Sequence, residues 1–249
     1  MKLETHCIDL NCDVGEGVGN EASLFPYISS CNIACGGHAG DPASMLQTAT
    51  LAGKYHVKIG AHPSYPDREH FGRVHLDLDR DGFQESIEQQ ITALLEILGR
   101  LKFPLHHIKA HGALYNDLAA GGPLALQYLE VLERFGNGVL VYAPCGSPFA
   151  RLAGERGFQV WEEAFADRAY EADGTLVSRK KPGALLTSPR KVHEQVREMV
   201  LSGRVRCSDG SYFTLSPATY CLHGDTPNAV EILTYLVKSL SGESIQIQK

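Results

Sequence analysis

The segment Ser30-Cys31-Asn32-Ile33-Ala34-Cys35-Gly36-Gly37-His38-Ala39-Gly40-Asp41-Pro42 changes character twice along its length. Ser30 to Ala34 reads as a short strand and Gly36-Gly37 as a turn. Asp41-Pro42 reads as a helix start, because a short carboxylate caps the orphan N–H groups of a first turn and proline already holds the φ of the first helical position. Met45, Leu46, Ala49 and Ala52 then form one apolar stripe at helical spacing. Val57 to Ala61 follows as a further strand.

The same alternation runs outward from this unit in both directions. Cys7-Ile8-Asp9-Leu10-Asn11-Cys12 reads as the first strand. Phe83, Ile87, Ile91, Leu94, Leu95, Leu98 and Leu101 predict a long amphipathic helix from Gly82 to Leu101. Leu105 to Ala110, Val139 to Tyr142, Gln159 to Trp161 and Thr219 to Leu222 supply further strands. Pro123, Ser188-Pro189 and Pro227 each open a helical pattern, and Asp209-Gly210 predicts a small hairpin between Val205 and Leu215. The stretch from Glu162 to Lys181 has little periodicity and reads as a long functional or covering loop. About seven strands alternating with helices, undivided by any linker or repeat, predict one α/β domain with a mainly parallel sheet. Periodicity alone leaves open whether that sheet closes.

Composition narrows the function classes. The chain has 249 residues, 43% hydrophobic and 21% charged, in the ordinary range of a globular protein. A net charge of −6 offers no basic excess for nucleic acid or an anionic membrane. No apolar run approaches the ~20 residues of a membrane span. Met1 to Asp9 shows no apolar core of a secretory leader. The seven cysteines form no CxxC, so reduced thiols in the cytoplasm are the expectation.

The polar residues gather at strand ends. Asn11 and Asp13 close the first strand, Asn32 and His38 follow the second, and His62 and Asp67 follow the third. Lys109 and His111 close the fourth, Glu162 and Glu163 follow the sixth, and His223 and Asp225 follow the last. In parallel α/β architectures the carboxyl ends of all strands share one face, where ligand sites form. Period-two alternation puts Asn11 with Asp13, and Lys109 with His111, on common sides of their strands. Taken singly, a strand-end Asp is as often a helix cap, and His106 and His107 read as residues flanking a strand. Cys31, Cys35, Cys207 and Cys221 read as small core residues.

Three chemistries suit such a cluster. Asp13, His38 and His62 offer carboxylate and imidazole donors to a divalent metal such as zinc or manganese. Alternatively, Asp13 or Glu16 acts as general base on water while Lys109 or His111 stabilises developing negative charge. A serine or cysteine triad has less behind it, since there is no GxSxG. Neither a Walker loop nor a dinucleotide-binding GxGxxG is present.

Several blocks carry a resemblance. They are Asp9-Leu10-Asn11-Cys12-Asp13-Val14-Gly15-Glu16, Asn32 through Asp41, Ile59 through Asp67 and Phe71-Gly72-Arg73. Lys109 through Asn116, Phe165-Ala166-Asp167-Arg168 and Cys221 through Asp225 complete the series. In this order, over nearly the whole chain, they resemble the LamB/YcsF family. Gly37 and Ala110 depart from the usual family pattern, where phenylalanine and proline are common. The resemblance implies a single-domain seven-stranded β/α barrel of the glycoside hydrolase/deacetylase type over residues 1–249. It further implies ATP-dependent opening of 5-oxo-L-proline to L-glutamate in a complex with partner subunits B and C. Those partners would handle ATP, in keeping with the missing phosphate loop; self-association stays open. Asp13 and Glu16 would activate water, and Lys109, His111 and Arg168 would bind carboxylate, phosphate or oxyanion. Substrate contacts are expected from Asn11, Asn32, His38, His62, Arg73, Tyr115, Asp167, His223 and Asp225. Two rivals remain: a stand-alone metal-dependent hydrolase of an N-acyl or carbohydrate substrate, and a non-catalytic subunit that binds oxoproline.

Overall fold

The computed structural model describes residues 5–136 and 138–249. The first four residues of the Met1 to Asp9 stretch on which the expectation of no secretory leader rests, and of the expected 1–249 domain, lie outside the described residues. Six parallel strands follow one another in sequence and in space: β1 (His6–Val14), β2 (Ser30–Ala34), β3 (Lys58–His62), β4 (His107–Ile108), β5 (Leu140–Pro144) and β6 (Gln159–Phe165). A small antiparallel hairpin, β7 (Arg204–Arg206) and β8 (Tyr212–Thr214), precedes β9 (Thr219–Cys221). Strand β9 pairs in parallel with β6 on one side and β1 on the other, closing a seven-stranded barrel. A last strand, β10 (Ile245–Ile247), adds to the start of β1 with Ile245 opposite His6.

The helices are α1 (Glu21–Leu24), α2 (Pro42–Lys54), α3 (Arg80–Leu101), α4 (Gly112–Ala119), α5 (Pro123–Glu133), α6 (Pro148–Glu155), α7 (Pro189–Ser202) and α8 (Ala229–Ser241). Helix α2 begins as its sequence predicts: the Asp41 carboxylate accepts from Ser44 N at 2.8 Å, and the Ser44 hydroxyl accepts from Asp41 N at 2.8 Å. In α3, Phe83, Ile87, Ile91, Leu94 and Leu98 are buried as one stripe. Helix α7 begins at Pro189 as expected, with Ser188 at the cap position but making no side-chain bond, whereas α8 begins at Ala229 rather than Pro227, after Asn228 takes a left-handed conformation.

The two faces of the strands differ in chemistry. Along β1, Ile8, Leu10, Cys12 and Val14 belong to the hydrophobic core, whereas Asp9, Asn11 and Asp13 are buried in polar company. Asp9 accepts from Ser30 Oγ at 2.8 Å and Thr219 Oγ1 at 2.7 Å, and it pairs with Lys58 at 3.3 Å. One step toward the carboxyl end, Asn11 donates to Glu163 and Thr219, each at 2.8 Å. Asn32 donates to Asn11 at 2.8 Å and accepts from His107 Nε2 at 2.6 Å. The barrel lumen is therefore a closed hydrogen-bonded column, with its members mutually satisfied. Gly60 makes room for it, since a Cβ there would fall inside the His107 ring.

Candidate active site

The column ends in a cavity of about 890 Å³ at the carboxyl ends of the strands, where loops rather than strand sterics decide what a parallel barrel binds. Asp13, Lys109 and Glu163 line its floor, Tyr115, Phe165 and Arg168 its wall. Lys109 Nζ lies 3.0 Å from Glu163 Oε1, 3.1 Å from Asp13 Oδ1 and 3.1 Å from Cys221 Sγ. Burial alone would lower the Lys109 pKa, but Asp13, Cys221 and Glu163 outweigh it and hold the pKa well above the ordinary lysine range. Asp13 behaves reciprocally: burial would raise its pKa, yet His62 and Lys109 hold it well below the usual carboxylate range. Asn32 adds a 2.7 Å bond to the same Asp13 oxygen.

Beside this floor stand three imidazoles. His62 Nδ1 donates to the Lys109 carbonyl at 2.8 Å, and His111 Nε2 donates to the Phe71 carbonyl at 3.0 Å. His62 Nε2 and His111 Nδ1 then face each other at 3.0 Å. His38 stacks on His111, with ring centres 3.6 Å apart, and meets Glu16 Oε1 through Nε2 at 2.8 Å. Burial, then His62, pushes the His38 pKa down to about 2. Burial, His38 and His62 push His111 well below the ordinary range as well. Burial together with Asp13 and Asp225 raises the Glu16 carboxyl.

The opposite wall is built for anions. Arg168 is buried; its Nη2 donates to the Val177 carbonyl at 2.8 Å, while its Nε has no partner. Arg179 and Lys180 line the same cavity from the loop between β6 and α7. Arg73 also lines it and pairs with Asp225, which sits 3.9 Å from Arg179.

The LamB/YcsF family profile matches residues 8–249. The chain belongs to the LamB/YcsF family. The A subunit of 5-oxoprolinase from Thermococcus sibiricus is 43% identical over 245 residues, covering 96% of each chain. A protein of the same name from Pyrococcus furiosus is 40% identical over 245 residues, again 96% of each. The crystal structure of a "Lactam Utilization Protein" from Thermus thermophilus superposes with a TM-score of 0.90 at 33% identity, covering 97% of this chain and 98% of that one. The closed seven-stranded barrel expected from the LamB/YcsF resemblance is the observed fold. Among the described residues no helix is long and apolar enough to cross a membrane.

The LamB/YcsF motif residues divide by position. Asp13, His62, Lys109, His111, Tyr115 and Arg168 reach the cavity, as do Arg73 and His223. Asn11 and Asn32, expected at the substrate, lie in the column beneath the floor, where they hold Glu163, Thr219 and Asp13. Asp167, expected there too, is fully buried behind the wall; it accepts from His223 Nδ1 at 2.9 Å and from the Thr226 hydroxyl, and so orients His223. Glu16, His38 and Asp225 stand off the cavity surface, the first two with the histidines and the last at Arg73. His111 is grouped with His38 and His62 rather than with Lys109, because its Nε2 is spent on Phe71. Of the metal donors expected on Asp13, His38 and His62, the two histidines gather their donor atoms with those of Glu16 and His111, while Asp13 Oδ1 lies 3.4 Å from His62 Nε2 and 3.1 Å from Lys109 Nζ.

Two site residues are not evident from the sequence, and a third, Glu163, is expected only as a residue following the sixth strand, whereas β6 runs on to Phe165 and carries it into the lumen. Cys221 looks like core filling yet touches Lys109, and His107 looks like a flank yet fills the lumen. The signal is period two: Lys109 follows His107, and Cys221 follows Thr219, on the same strand face. At Gly37, where phenylalanine is common, the space is taken by Gln90, whose side chain donates to Ser64 O at 2.9 Å and accepts from Ser64 N at 3.0 Å.

Proposed function

We propose that this chain is the 5-oxoproline-binding component of an ATP-dependent 5-oxoprolinase, working with partner subunits B and C. The observation that carries the proposal is the Asp13–Lys109–Glu163 cluster in a cavity that Arg168, Arg179 and Lys180 also line. The names of the relatives, at 40–43% identity over nearly the whole chain, supply the substrate.

A five-membered lactam is a poor electrophile. Transfer of the ATP γ-phosphoryl group to its carbonyl oxygen releases ADP and activates the carbon. Water then adds there, the C–N bond opens to γ-glutamyl phosphate, and a second water releases phosphate and L-glutamate. In this scheme the partners handle ATP, and this chain holds the ring. Arg168, with Arg179 and Lys180 nearby, receives the substrate carboxylate or the phosphoryl group, since guanidinium matches both. Lys109, kept charged by its two carboxylates, offsets negative charge developing on the reacting oxygen. Asp13, ionised throughout the physiological range, accepts a hydrogen bond from the attacking water and orients it. The seven cysteines, none in a disulfide, support a cytoplasmic setting.

The test is reconstitution with the partner subunits, measuring ADP and glutamate from 5-oxoproline. Asp13→Asn is expected to slow glutamate formation about 100-fold or more; near-normal turnover by the folded variant overturns the assignment.

A further inference from the structure

The geometry points to a divalent transition-metal site formed by Glu16, His62 and His111, with His38 as the fourth donor. A backbone carbonyl can only accept, so the bond from His62 to Lys109 O places the proton of that ring on Nδ1. The bond from His111 to Phe71 O likewise places its proton on Nε2. In the neutral rings the two remaining nitrogens, His62 Nε2 and His111 Nδ1, are both lone-pair atoms, yet they face each other at 3.0 Å, with Asp13 Oδ1 3.4 Å from His62 Nε2. Glu16 Oε1 approaches the same point, 3.4 Å from His111 Nδ1 and 4.0 Å from His62 Nε2. Neutral rings hold electron-rich atoms at this separation when a cation lies between them.

Distances between the donors give its size. The triangle with sides of 3.0, 3.4 and 4.0 Å has a circumscribed radius of about 2 Å, which matches the ~2.0–2.2 Å of zinc bonds to imidazole nitrogen and carboxylate oxygen. The donor atoms of Glu16, His38, His62 and His111 all lie within 4.8 Å of one another. Both backbone bonds also do what outer-shell partners of metal-bound imidazoles do: they fix the tautomer and the ring plane. His38 is buried beside the same donors, with Nε2 2.8 Å from Glu16 Oε1 and Nδ1 without a hydrogen-bond partner.

Three imidazoles and one carboxylate favour zinc, cobalt, nickel or iron over the all-oxygen sites of calcium and magnesium. The site adjoins the cavity through His62 and His111. It does not depend on the ring-opening reading, because its test is binding rather than turnover.

The purified full-length chain, stripped by chelator and returned to metal-free buffer, is titrated with Co²⁺ while its visible spectrum is followed. The expected result is one Co²⁺ per chain, with a ligand-field band that Zn²⁺ displaces. Glu16→Gln and His111→Asn, each checked for folding by circular dichroism, should weaken binding by about 10- to 100-fold or more. Zn²⁺ should raise the Tm of the wild type and leave that of Glu16→Gln unmoved. Wild-type protein that takes up no stoichiometric Co²⁺ or Zn²⁺ overturns the proposal, because the His62–His111 contact is then held by a shared proton. Folded variants that bind Co²⁺ as tightly as the wild type also overturn it.

Discussion

Glu163 Oε1 lies 3.0 Å from Lys109 Nζ, while Oε2 of the same carboxylate accepts the Tyr115 hydroxyl at 2.7 Å. One buried glutamate from β6 thus steadies a lysine from the end of β4 and a tyrosine from α4, tying three elements together at the cavity floor. With Asp13 on its other side, Lys109 stands between two buried carboxylates.

Replacing that lysine should therefore be costly. Lys109→Met leaves the buried Asp13 and Glu163 carboxylates without their common counter-charge, and breaking a buried pair from one side costs about 3–5 kcal/mol. Denaturant unfolding measures it. Wild-type stability in the variant would show that the cluster does not carry the charge arrangement described.

Arg168 should report on substrate anion binding. Its guanidinium meets Val177 O through Nη2, its buried Nε has no partner, and the residue lines the cavity. Arg168→Gln removes a charged donor, with a charge-assisted bond contributing about 1.5–3 kcal/mol. The expected outcome is a roughly 10- to 100-fold fall in kcat/KM for 5-oxoproline in the reconstituted complex. An unchanged value would place the substrate carboxylate elsewhere.

His107 should make stability depend on pH. Burial, then His106 and Lys109, hold its pKa well below the ordinary imidazole range, so the folded ring stays neutral. In the unfolded chain the same ring takes up a proton below about pH 6.5. The unfolded state therefore binds more protons in that window, and stability falls as pH drops through 6.5. The expected contribution is up to one proton, or about 1.4 kcal/mol per pH unit. Unfolding free energies at several pH values should show a shallower slope in His107→Gln; an identical slope refutes the neutral buried ring.

Gly112 tests the junction between β4 and α4. It has φ +60°, and a Cβ there would collide with the carbonyl oxygen of Gly72, which accepts from Ala113 N at 2.9 Å. Gly112→Ala must either strain this turn or push back the loop carrying Phe71 and Arg73. A loss of about 1–3 kcal/mol is expected, along with a weaker kcat/KM, because His111 and Arg73 both lean on that contact. Wild-type values for both would show that the loop yields freely.

Much of this protein is legible without its structure. The stripe of α3, the cap of α2 and the alternation of β1 are local matters, set by residues within a turn or two of one another. The motif blocks likewise mark the right end of the barrel, because a strand shows its chemistry where it stops being apolar. The limits of β6 are less legible. Glu162 and Glu163 interrupt its apolar run, and only pairing with β5 and β9 explains why the strand continues to Phe165.

What the sequence determined by itself was a parallel α/β chain with acid, lysine and histidine residues at its strand ends. Periodicity left closure of the barrel open; the family resemblance implied it, and the tertiary structure makes it through β9 bridging β6 and β1. That closure also decided which polar residues meet. Asp13 and Glu163 come within 3.1 and 3.0 Å of Lys109 only because their strands face one lumen. Periodicity states which side of a strand a residue takes; it carries no record of which distant strand stands opposite. In a narrow closed barrel it is that opposite strand which sets the charge, the tautomer and the hydrogen bonding of each group.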